Sequence, residues 1–396
     1  MVPKLGAHRA GFLTGIVIGL AIAGIFLAGL GAGVVIDRQA NGTVANDPNL
    51  RDFLNAYSLV THRSYYRPFN RKRLIYAAID GMLSATGDPH TLFFSPQQNQ
   101  VANEQLNGSS FSGIGAIVVP SGRILRVLSP LPNSPAAKAH LRQGDVIVAI
   151  NGRSVAKMSG ESAINAIHGR DGSVVTLSVR HSGKVRSVRL KRGNIPPVTA
   201  YGWLAPHHIG VVTATSFGSS TSADVARAIS YVRSIGATRL ILDLRDNPGG
   251  YVDSAQAVVS QFITHGVVAY EESPHKSLTP LNLVKTAHVT HLPMVVLVNG
   301  GTASAAEITA AALRDHHRAI LIGTTTYGKG SMQSIYSLPD GSTIRITDRL
   351  WLTPDKKSVQ KRGLKPNIVV RTVNEGPFTD DAQLAAAERY LLSHGH

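Results

Sequence analysis

The spacing of apolar residues predicts helices in the N-terminal part of the chain. Apolar side chains recur at i, i+3, i+4 and i+7 from Leu50 to Tyr57, and a second stripe runs from Leu74 to Leu83. This spacing places apolar side chains on one face of a helix. The Gly- and Pro-containing stretch TGDPHT at residues 86–91 interrupts the pattern. We therefore predict a helical N-terminal segment over residues 41–107.

From Phe111 to Arg192 the pattern predicts short strands instead. Val175, Leu177 and Val179 alternate with polar residues, as expected of a strand that buries one face. A Ser-Gly turn follows, and then a second alternating stretch. These features predict a small β-rich domain over residues 108–194.

Residues 195–396 alternate between strand-like runs and helical segments. Buried strands are predicted at 239–244 and 294–298, and residues 222–236 have helical spacing. Strands that alternate with helices of 10 to 15 residues favour an α/β fold with largely parallel strands. After residue 330 the pattern alternates and turns like a hairpin.

The N-terminus contains a long uncharged run. Residues 10–36 carry no charged side chain, and this length is sufficient to cross a bilayer. Because Lys4 and Arg9 precede the run, the positive-inside rule predicts a cytoplasmic N-terminus and an extracytoplasmic C-terminal part. We interpret residues 1–40 as a cytoplasmic stub and transmembrane signal anchor. A long, cleaved signal peptide is the alternative, since AGLGAG at 28–33 offers small residues for cleavage.

Composition narrows the functional classes. The chain has 396 residues, of which 43% are hydrophobic, enough for more than one core. The absence of cysteine excludes disulfides, thiol nucleophiles and Cys-based metal sites. Forty Lys and Arg against 24 Asp and Glu give a net charge of +16, which favours anionic neighbours. Because the charge is dispersed and no recognition motif accompanies it, we expect no nucleic-acid partner.

Ser304 is the first candidate for chemistry. It lies in NGGTASAAEI, residues 299–308, among very small side chains. Ser304 to Glu307 spell a capping box, which predicts a helix start. A serine at a helix start also lies beside unpaired amides that can stabilise an oxyanion. The two roles are compatible, so the rest of the chain has to decide whether Ser304 is a nucleophile.

Several other enzyme templates fail. GTTTYGKG at residues 323–330 satisfies G-x4-G-K, but Gly330 stands where a P-loop needs Ser or Thr, and no helix follows. There is no H-E-x-x-H among the 16 histidines and no G-x-S-x-G elbow. We therefore expect no nucleotide, metal or other cofactor. A serine can instead be activated by a lysine whose pKa is lowered by burial and neighbouring charges.

Residues 133–155, NSPAAKAHLRQGDVIVAINGRSV, resemble a PDZ domain. In that family an extended peptide adds to a sheet edge, and a Gly-rich loop captures its terminal carboxylate. The resemblance implies protein or peptide partners with apolar C-termini. The residues expected to bind the peptide are Gly113, Ile114, Gly115, Ile117 and Ile164.

A longer series of motifs resembles the carboxyl-terminal processing proteases, a family of Ser/Lys peptidases. In chain order these motifs are GDPHT, the PDZ pattern, ILDLRDNPGG, NGGTASAAEITAAAL, TTYGKGSMQ, GLKPNI and DDAQLAAAERYL. The resemblance covers about residues 48–392. It implies a ClpP/crotonase-like α/β protease core with an inserted PDZ domain. Together with the patterns described above, the expected fold also has a helical N-terminal segment and one N-terminal transmembrane helix.

The resemblance also assigns roles to residues. Ser304 is the expected nucleophile, Lys329 the general base, and Gln333 the residue that orients the lysine. The expected oxyanion donors are the amides of Ala305 and of the turn formed by Gly249 and Gly250.

Two positions depart from the family pattern. Thr324 stands where many relatives have an acidic residue, and Asp246 where Asn or Gly is frequent, so the working pH of Lys329 stays open. We expect a membrane-anchored, extracytoplasmic serine endopeptidase. The alternative is a PDZ scaffold with a degenerate protease core. The sequence leaves open whether the chain forms a homo-oligomer.

Overall fold

The structure is a computed structural model that describes residues 47–107, 110–121, 123–371 and 381–394. Contacts divide the chain into two compact units, Met1–Ile79 and Asp80–His396. Within these described ranges, no helix combines the length and hydropathy needed to span a membrane. The predicted anchor at residues 10–36 lies outside the described residues.

The first unit contains the predicted helices. Helix α1 (Pro48–Arg63) begins at Asp47, whose carboxylate accepts a hydrogen bond from the Asn49 amide at 2.8 Å, as an N-cap does. Helix α2 (Arg71–Ser84) starts in this unit and continues into the second. The predicted helical pattern is therefore confirmed here, although α1 contains no buried residue.

The second unit starts with a departure from the predicted all-helical segment. Residues Leu92–Phe94 form strand β1, and helix α3 (Pro96–Asn107) follows. Two of the three strand residues are phenylalanines, and Pro89 and Pro96 flank them, so a helix is disfavoured and an aromatic-rich strand is favoured.

A small β-rich module follows. Its elements are β2 (Phe111–Gly113), β3 (Ala116–Ser121), β4 (Ile124–Pro130), α4 (Pro135–Lys138), β5 (Val146–Ile150), β6 (Arg153–Ser154), α5 (Gly160–Ile167), β7 (Val174–His181), β8 (Lys184–Lys191) and β9 (Gly193–Ile195). Five of these strands form a sheet in the order β3-β4-β5-β7-β8, in which β3 is an edge strand. Strand β6 lies beside β5, and β2 pairs with β9. Val175, Leu177 and Val179 are buried in its core, so the predicted alternation is confirmed.

The larger core is an α/β layer. Its elements are β10 (Ala200–Ala205), β11 (Ile209–Ala214), α6 (Thr221–Ser234), β12 (Arg239–Asp243), α7 (Val252–Val259), β15 (Met294–Val298), α8 (Ala305–Asp315), β16 (Ile320–Gly323), β19 (Ile368–Val369) and α9 (Ala382–His394). The strands form a sheet in the order β10-β11-β12-β15-β16-β19. The β10–β11 pair is antiparallel, and all the following pairs are parallel. All five residues of β15 are buried, as expected of a central parallel strand.

A second sheet lies in the same unit and combines distant parts of the chain. Besides β1, its strands are β13 (Val267–Glu272), β14 (Leu278–Asn282), β17 (Ser331–Ser337) and β18 (Thr343–Leu352). The strand order is β1-β18-β13-β14, and β17 also pairs with β18. The predicted hairpin after residue 330 is therefore confirmed as β17–β18, and it pairs with β1 of the predicted helical segment.

Candidate active site

Ser304 lies where the central strand β15 turns into helix α8. It is the N-cap of α8, with φ 54° and ψ −120°. A non-glycine residue at positive φ is strained, and such strain persists where surrounding contacts hold it in place. The Glu307 carboxylate accepts a hydrogen bond from the Ser304 amide at 3.0 Å, which is the glutamate half of the predicted capping box.

Glu307 is fully buried and holds two site segments together. One oxygen, Oε2, accepts from the amides of Ser304 at 3.0 Å and Lys329 at 2.9 Å. The other, Oε1, accepts from the Gly328 amide at 2.9 Å and from the Thr326 hydroxyl. One carboxylate therefore fixes the backbones of the expected nucleophile and the expected base. The sequence identified Glu307 only as a capping-box residue and missed this second role.

The Gly249-Gly250 turn packs directly on the Ser304 segment. Gly249 has φ 95°, and a Cβ there would lie 2.7 Å from Ser304 Cβ and 2.6 Å from Ala303 O. This close approach requires glycine. The turn therefore lies against the nucleophile segment, as an oxyanion-donating loop must.

The three predicted oxyanion donors are not equivalent. The Gly249 amide already donates to Asn247 Oδ1 at 2.9 Å. Among the described residues, the amides of Gly250 and Ala305 donate to no backbone or side-chain acceptor. Gly250 and Ala305 are thus placed to donate to an oxyanion, whereas the Gly249 amide shapes the turn.

Lys329 is half-buried beside this site. Burial lowers the pKa of Lys329 below its ordinary value, and the positive charge of Arg345 lowers that pKa further, while Asp88 raises it. Its carbonyl accepts from the Trp351 indole at 2.9 Å. Among the described residues, Lys329 Nζ and Ser304 Oγ form no hydrogen bond with each other. The structure thus places the two residues in adjoining segments with the contact between their reactive atoms unformed.

Gln333 lies on strand β17, four residues after Lys329. Its side-chain amide donates to Ser331 Oγ and to Thr347 Oγ1, both at 3.0 Å. Within the described ranges it makes no hydrogen bond to Lys329, so its predicted orienting role stays a prediction.

The loop before β1 also reaches this site. The Thr347 amide donates to Thr91 Oγ1 at 3.1 Å, and Thr91 Oγ1 donates to Asp88 Oδ2 at 2.7 Å. Burial lowers the pKa of His90, and the charge of Lys329 lowers it further. The GDPHT stretch was noted as an interruption and a motif, but its contact with the site could not be predicted from local sequence.

The predicted peptide-binding residues lie at one edge of the β-rich module. Gly113 ends β2, and Gly115 has φ 68° before the edge strand β3, which contains Ile117. Among the described residues, the amides of Ile114 and Gly115 donate to no acceptor. Ile114 itself is only 2% exposed, so its side chain belongs to the module's core here, with Ile164 packed against that core.

The two departures have structural consequences. The Asp246 amide donates to Asn299 Oδ1 and the Asn299 side-chain amide donates to Asp246 Oδ1, both at 2.9 Å, which ties the turn after β12 to the turn after β15. The Thr324 amide donates a hydrogen bond to Val298 O at 3.1 Å.

No group of three or more His, Cys, Asp or Glu residues in the described ranges could hold a metal ion.

Comparison with known proteins places this site in a class. Residues 208–370 match Peptidase family S41, and residues 126–181 match a PDZ domain. The chain is 31% identical over 342 residues to a probable CtpA-like serine protease of Staphylococcus aureus, covering 86% of this chain and 68% of that relative. The chain belongs to peptidase family S41, the carboxy-terminal processing serine proteases.

Two further proteins are similar to this chain over most of its length. Carboxy-terminal processing protease CtpA of Bacillus subtilis is 37% identical over 306 residues, which cover 77% of this chain and 65% of CtpA. The match thus spans slightly less than two thirds of that relative. Among solved structures, the photosystem II D1 C-terminal processing protease is similar at a TM-score of 0.48 and 28% identity, over 87% of this chain and 91% of that chain.

Proposed function

We propose that this chain is a membrane-anchored, extracytoplasmic serine endopeptidase that recognises protein C-terminal tails through its PDZ module. Ser304 is the nucleophile and Lys329 the general base. The observation that carries this proposal is the sharing of one carboxylate oxygen, Glu307 Oε2, by the amides of both residues. This pairing brings together two residue types that form a catalytic dyad when the lysine is neutral.

Acylation follows from the placement of these groups. Neutral Lys329 Nζ accepts the Ser304 hydroxyl proton as Oγ attacks the peptide carbonyl carbon. The carbonyl oxygen becomes an oxyanion, which the amides of Ala305 and Gly250 stabilise. The Lys329 ammonium then gives its proton to the departing amine nitrogen, and an acyl ester on Ser304 remains.

Deacylation repeats the same proton transfers with water. Lys329 takes a proton from the water as its oxygen attacks the ester carbonyl, and the proton returns to Ser304 Oγ when the ester bond breaks. Burial and Arg345 both lower the pKa of Lys329, which favours its neutral, basic form.

Tail recognition uses the edge of the PDZ module. Among the strands that the structure describes, β3 pairs with β4 alone, so it has one open edge to which an extended tail can add. Among the described residues the amides of Ile114 and Gly115 have no acceptor, so they can donate hydrogen bonds to the terminal carboxylate. Apolar last side chains suit the neighbouring Ile117 and Ile164.

The activity is tested by substitution of each dyad residue. Ser304→Ala and Lys329→Ala each abolish peptide hydrolysis, while Ser277→Ala and Lys357→Ala, at exposed positions, do not. Circular dichroism and thermal melting confirm that the variants fold, since losing a cap costs only about 1 kcal/mol. Full hydrolysis by folded Ser304→Ala would contradict the dyad. Tail binding by a wild-type protein that cleaves nothing would favour the degenerate scaffold.

The membrane anchor needs a separate test. Residues 10–36 are uncharged and follow Lys4 and Arg9, so we expect the full chain in the membrane fraction. A reporter fused after residue 396 should be active only outside the cytoplasm. Recovery of a soluble protein that begins near Asp37 would favour the cleaved signal peptide.

A further inference from the structure

Arg345 is a half-buried cation near the reacting groups with an incomplete set of hydrogen bonds. Its Nε atom is buried and has no hydrogen-bond partner among the described residues. It forms no ion pair there either, and its guanidinium lies 4.3 Å from the centre of the Phe94 ring. A buried polar group left unpaired is unfavourable and calls for a partner.

Three other half-buried arginines have their guanidinium groups occupied. On the same strand, Arg349 pairs with Glu271 at 2.6 Å and with Asp348 at 3.3 Å. Arg245 pairs with Asp243 and Asp381, and Arg318 donates to three backbone carbonyls. The unfilled state of Arg345 is therefore not a general feature of arginines in this fold.

The position of Arg345 connects it to the active site. In β18 it stands opposite Ile335 of β17, two residues before Thr347, which stands opposite Gln333. Residues two apart on a strand lie on the same face, so Arg345 shares the face that carries Gln333.

Charge interactions indicate which groups face Arg345. It interacts electrostatically with Lys329 and with Tyr251, the residue directly after the Gly249-Gly250 turn. The nearby carboxylate of Asp88 is already engaged, because its oxygens accept from the His90 amide at 3.0 Å and from Thr91 Oγ1. Among the described residues, Arg345 thus has no ion-pair partner, although it interacts electrostatically with the expected base and with the residue that follows the expected oxyanion turn.

We propose that Arg345 is a specificity-determining residue that binds a carboxylate of the substrate peptide next to the scissile bond. This inference rests on the proposed peptidase function. A guanidinium presents a planar fork that matches a carboxylate, and a charge-assisted pair of this kind is strong when partly buried. A peptide offers two sources of that group, an Asp or Glu side chain and the free C-terminal carboxylate.

The experiment compares matched reporter peptides. The first is neutral with an amidated C-terminus. A second set is amidated and carries one Asp at successive positions on either side of the scissile bond. A third set is neutral with a free C-terminus at increasing distances from that bond. KM and kcat are measured for wild type, Arg345→Gln, Arg345→Lys and the control Arg349→Gln.

For wild type and Arg349→Gln, we expect a KM about tenfold lower for a peptide whose carboxylate reaches Arg345 than for the neutral peptide. In Arg345→Gln this difference disappears because KM rises to the neutral value. Arg345→Lys keeps part of the difference, since it retains the charge without the planar fork. A change in kcat common to all peptides reports instead the loss of a charge next to Lys329.

The peptide sets separate the two carboxylate sources. Loss of preference only in the Asp set identifies a side-chain carboxylate, and loss only in the free-terminus set identifies the C-terminus. A preference that persists in folded Arg345→Gln, or a wild type that shows none, overturns the proposal.

A binding measurement separates this inference from the proposed function. Fluorescence anisotropy of the same labelled peptides on Ser304→Ala needs no turnover, and Ser304→Ala combined with Arg345→Gln should lose the carboxylate preference. If wild type cleaves none of the peptides but this difference in binding remains, the peptidase proposal fails while the carboxylate site stands. If Arg345→Gln does not fold, Arg345→Lys in the same assay decides.

Discussion

The protease site and the PDZ module differ in how their backbone amides are hydrogen-bonded. At the protease site the buried carboxylate of Glu307 engages the amides of Ser304, Gly328 and Lys329. At the PDZ edge the amides of Ile114 and Gly115 have no acceptor among the described residues. In the described part of the chain, the protein itself holds the Ser304 and Lys329 segments of the first site, whereas the amides of Ile114 and Gly115 remain free to donate to a ligand.

The two sites should therefore respond differently to amino-acid substitution. A preorganised site loses activity when the group that holds it is altered, because small displacements of reacting groups are expensive. A site completed by a ligand loses selectivity, while the chemistry elsewhere continues.

Glu307→Gln should have the largest effect. A glutamine amide group would oppose backbone N–H donors that the carboxylate now satisfies, so we expect a loss of about 3 kcal/mol in stability. Displacement of Ser304 and Lys329 should lower kcat/KM about 100-fold. Thermal melting and peptide hydrolysis check both effects, with the exposed Glu104→Gln as control. Wild-type kinetics in Glu307→Gln would show that the carboxylate does not hold the site.

Gly115→Ala should abolish tail selection and spare the chemistry. Gly115 has φ 68°, and a Cβ there would lie 2.4 Å from Ser134 Cβ. The Gly-rich loop at residues 113–115, which is expected to bind the terminal carboxylate, must therefore shift. Wild type should cleave proteins with free apolar C-termini about tenfold faster than amidated ones, and the ratio should fall to about one in the variant. Hydrolysis of a short reporter should continue at the wild-type rate.

Gly183→Ala is the matched control for this loop. Gly183 has φ 81° in the same module, but a Cβ there meets nothing within 4 Å. Equal loss of tail selection in both variants would mean that general destabilisation of the module, and not the loop, is responsible.

Two charge substitutions should move the pH profile in opposite directions. Because the base must be neutral, kcat/KM rises with pH through the pKa of Lys329, which burial and Arg345 hold below 10.5. Removing the positive charge in Arg345→Gln raises that pKa and shifts the profile to higher pH. Removing the negative charge in Asp88→Asn lowers the pKa and shifts the profile to lower pH. Shifts of the same sign would contradict Lys329 as the titrating group.

Gln143→Ala should have the smallest effect, at the junction of the two regions. The Gln143 side chain accepts from the Leu204 amide at 2.7 Å and donates to the Leu204 carbonyl. Loss of these contacts should lower stability by about 1 kcal/mol, measured by thermal melting against the exposed Gln100→Ala. If this junction couples the regions, a non-cleavable tail that changes reporter hydrolysis in wild type should do so less in Gln143→Ala.

Local sequence signals predicted much of the framework. The capping box placed Ser304 at a helix start, and alternation placed the hairpin β17–β18, because both signals lie within a few residues. The other three partners of Glu307, namely Thr326, Gly328 and Lys329, lie 19 to 22 residues further along the chain, so no local pattern reveals them. The strand at Leu92–Phe94 has a local signal in its two phenylalanines, but its pairing with the distant strand β18 has none.

Arg345 shows a further limit of sequence reasoning. An arginine in an alternating strand is typical of a solvent-facing position, and only the packing on Phe94 and the missing counterion single it out. The Gly249 amide is the opposite case. Its capture by Asn247 is a local Asx contact that the sequence Asn-Pro-Gly already favours.

Covalent trapping tests the central claim, nucleophilic catalysis by Ser304, most directly. The wild-type protein is quenched during turnover of a slowly deacylating peptide ester, and intact mass and peptide mapping locate the acyl group. The account predicts one acyl adduct on Ser304, absent from Ser304→Ala and greatly reduced in Lys329→Ala. Turnover with the adduct on another residue, or hydrolysis of the ester by Ser304→Ala at the wild-type rate, would contradict it.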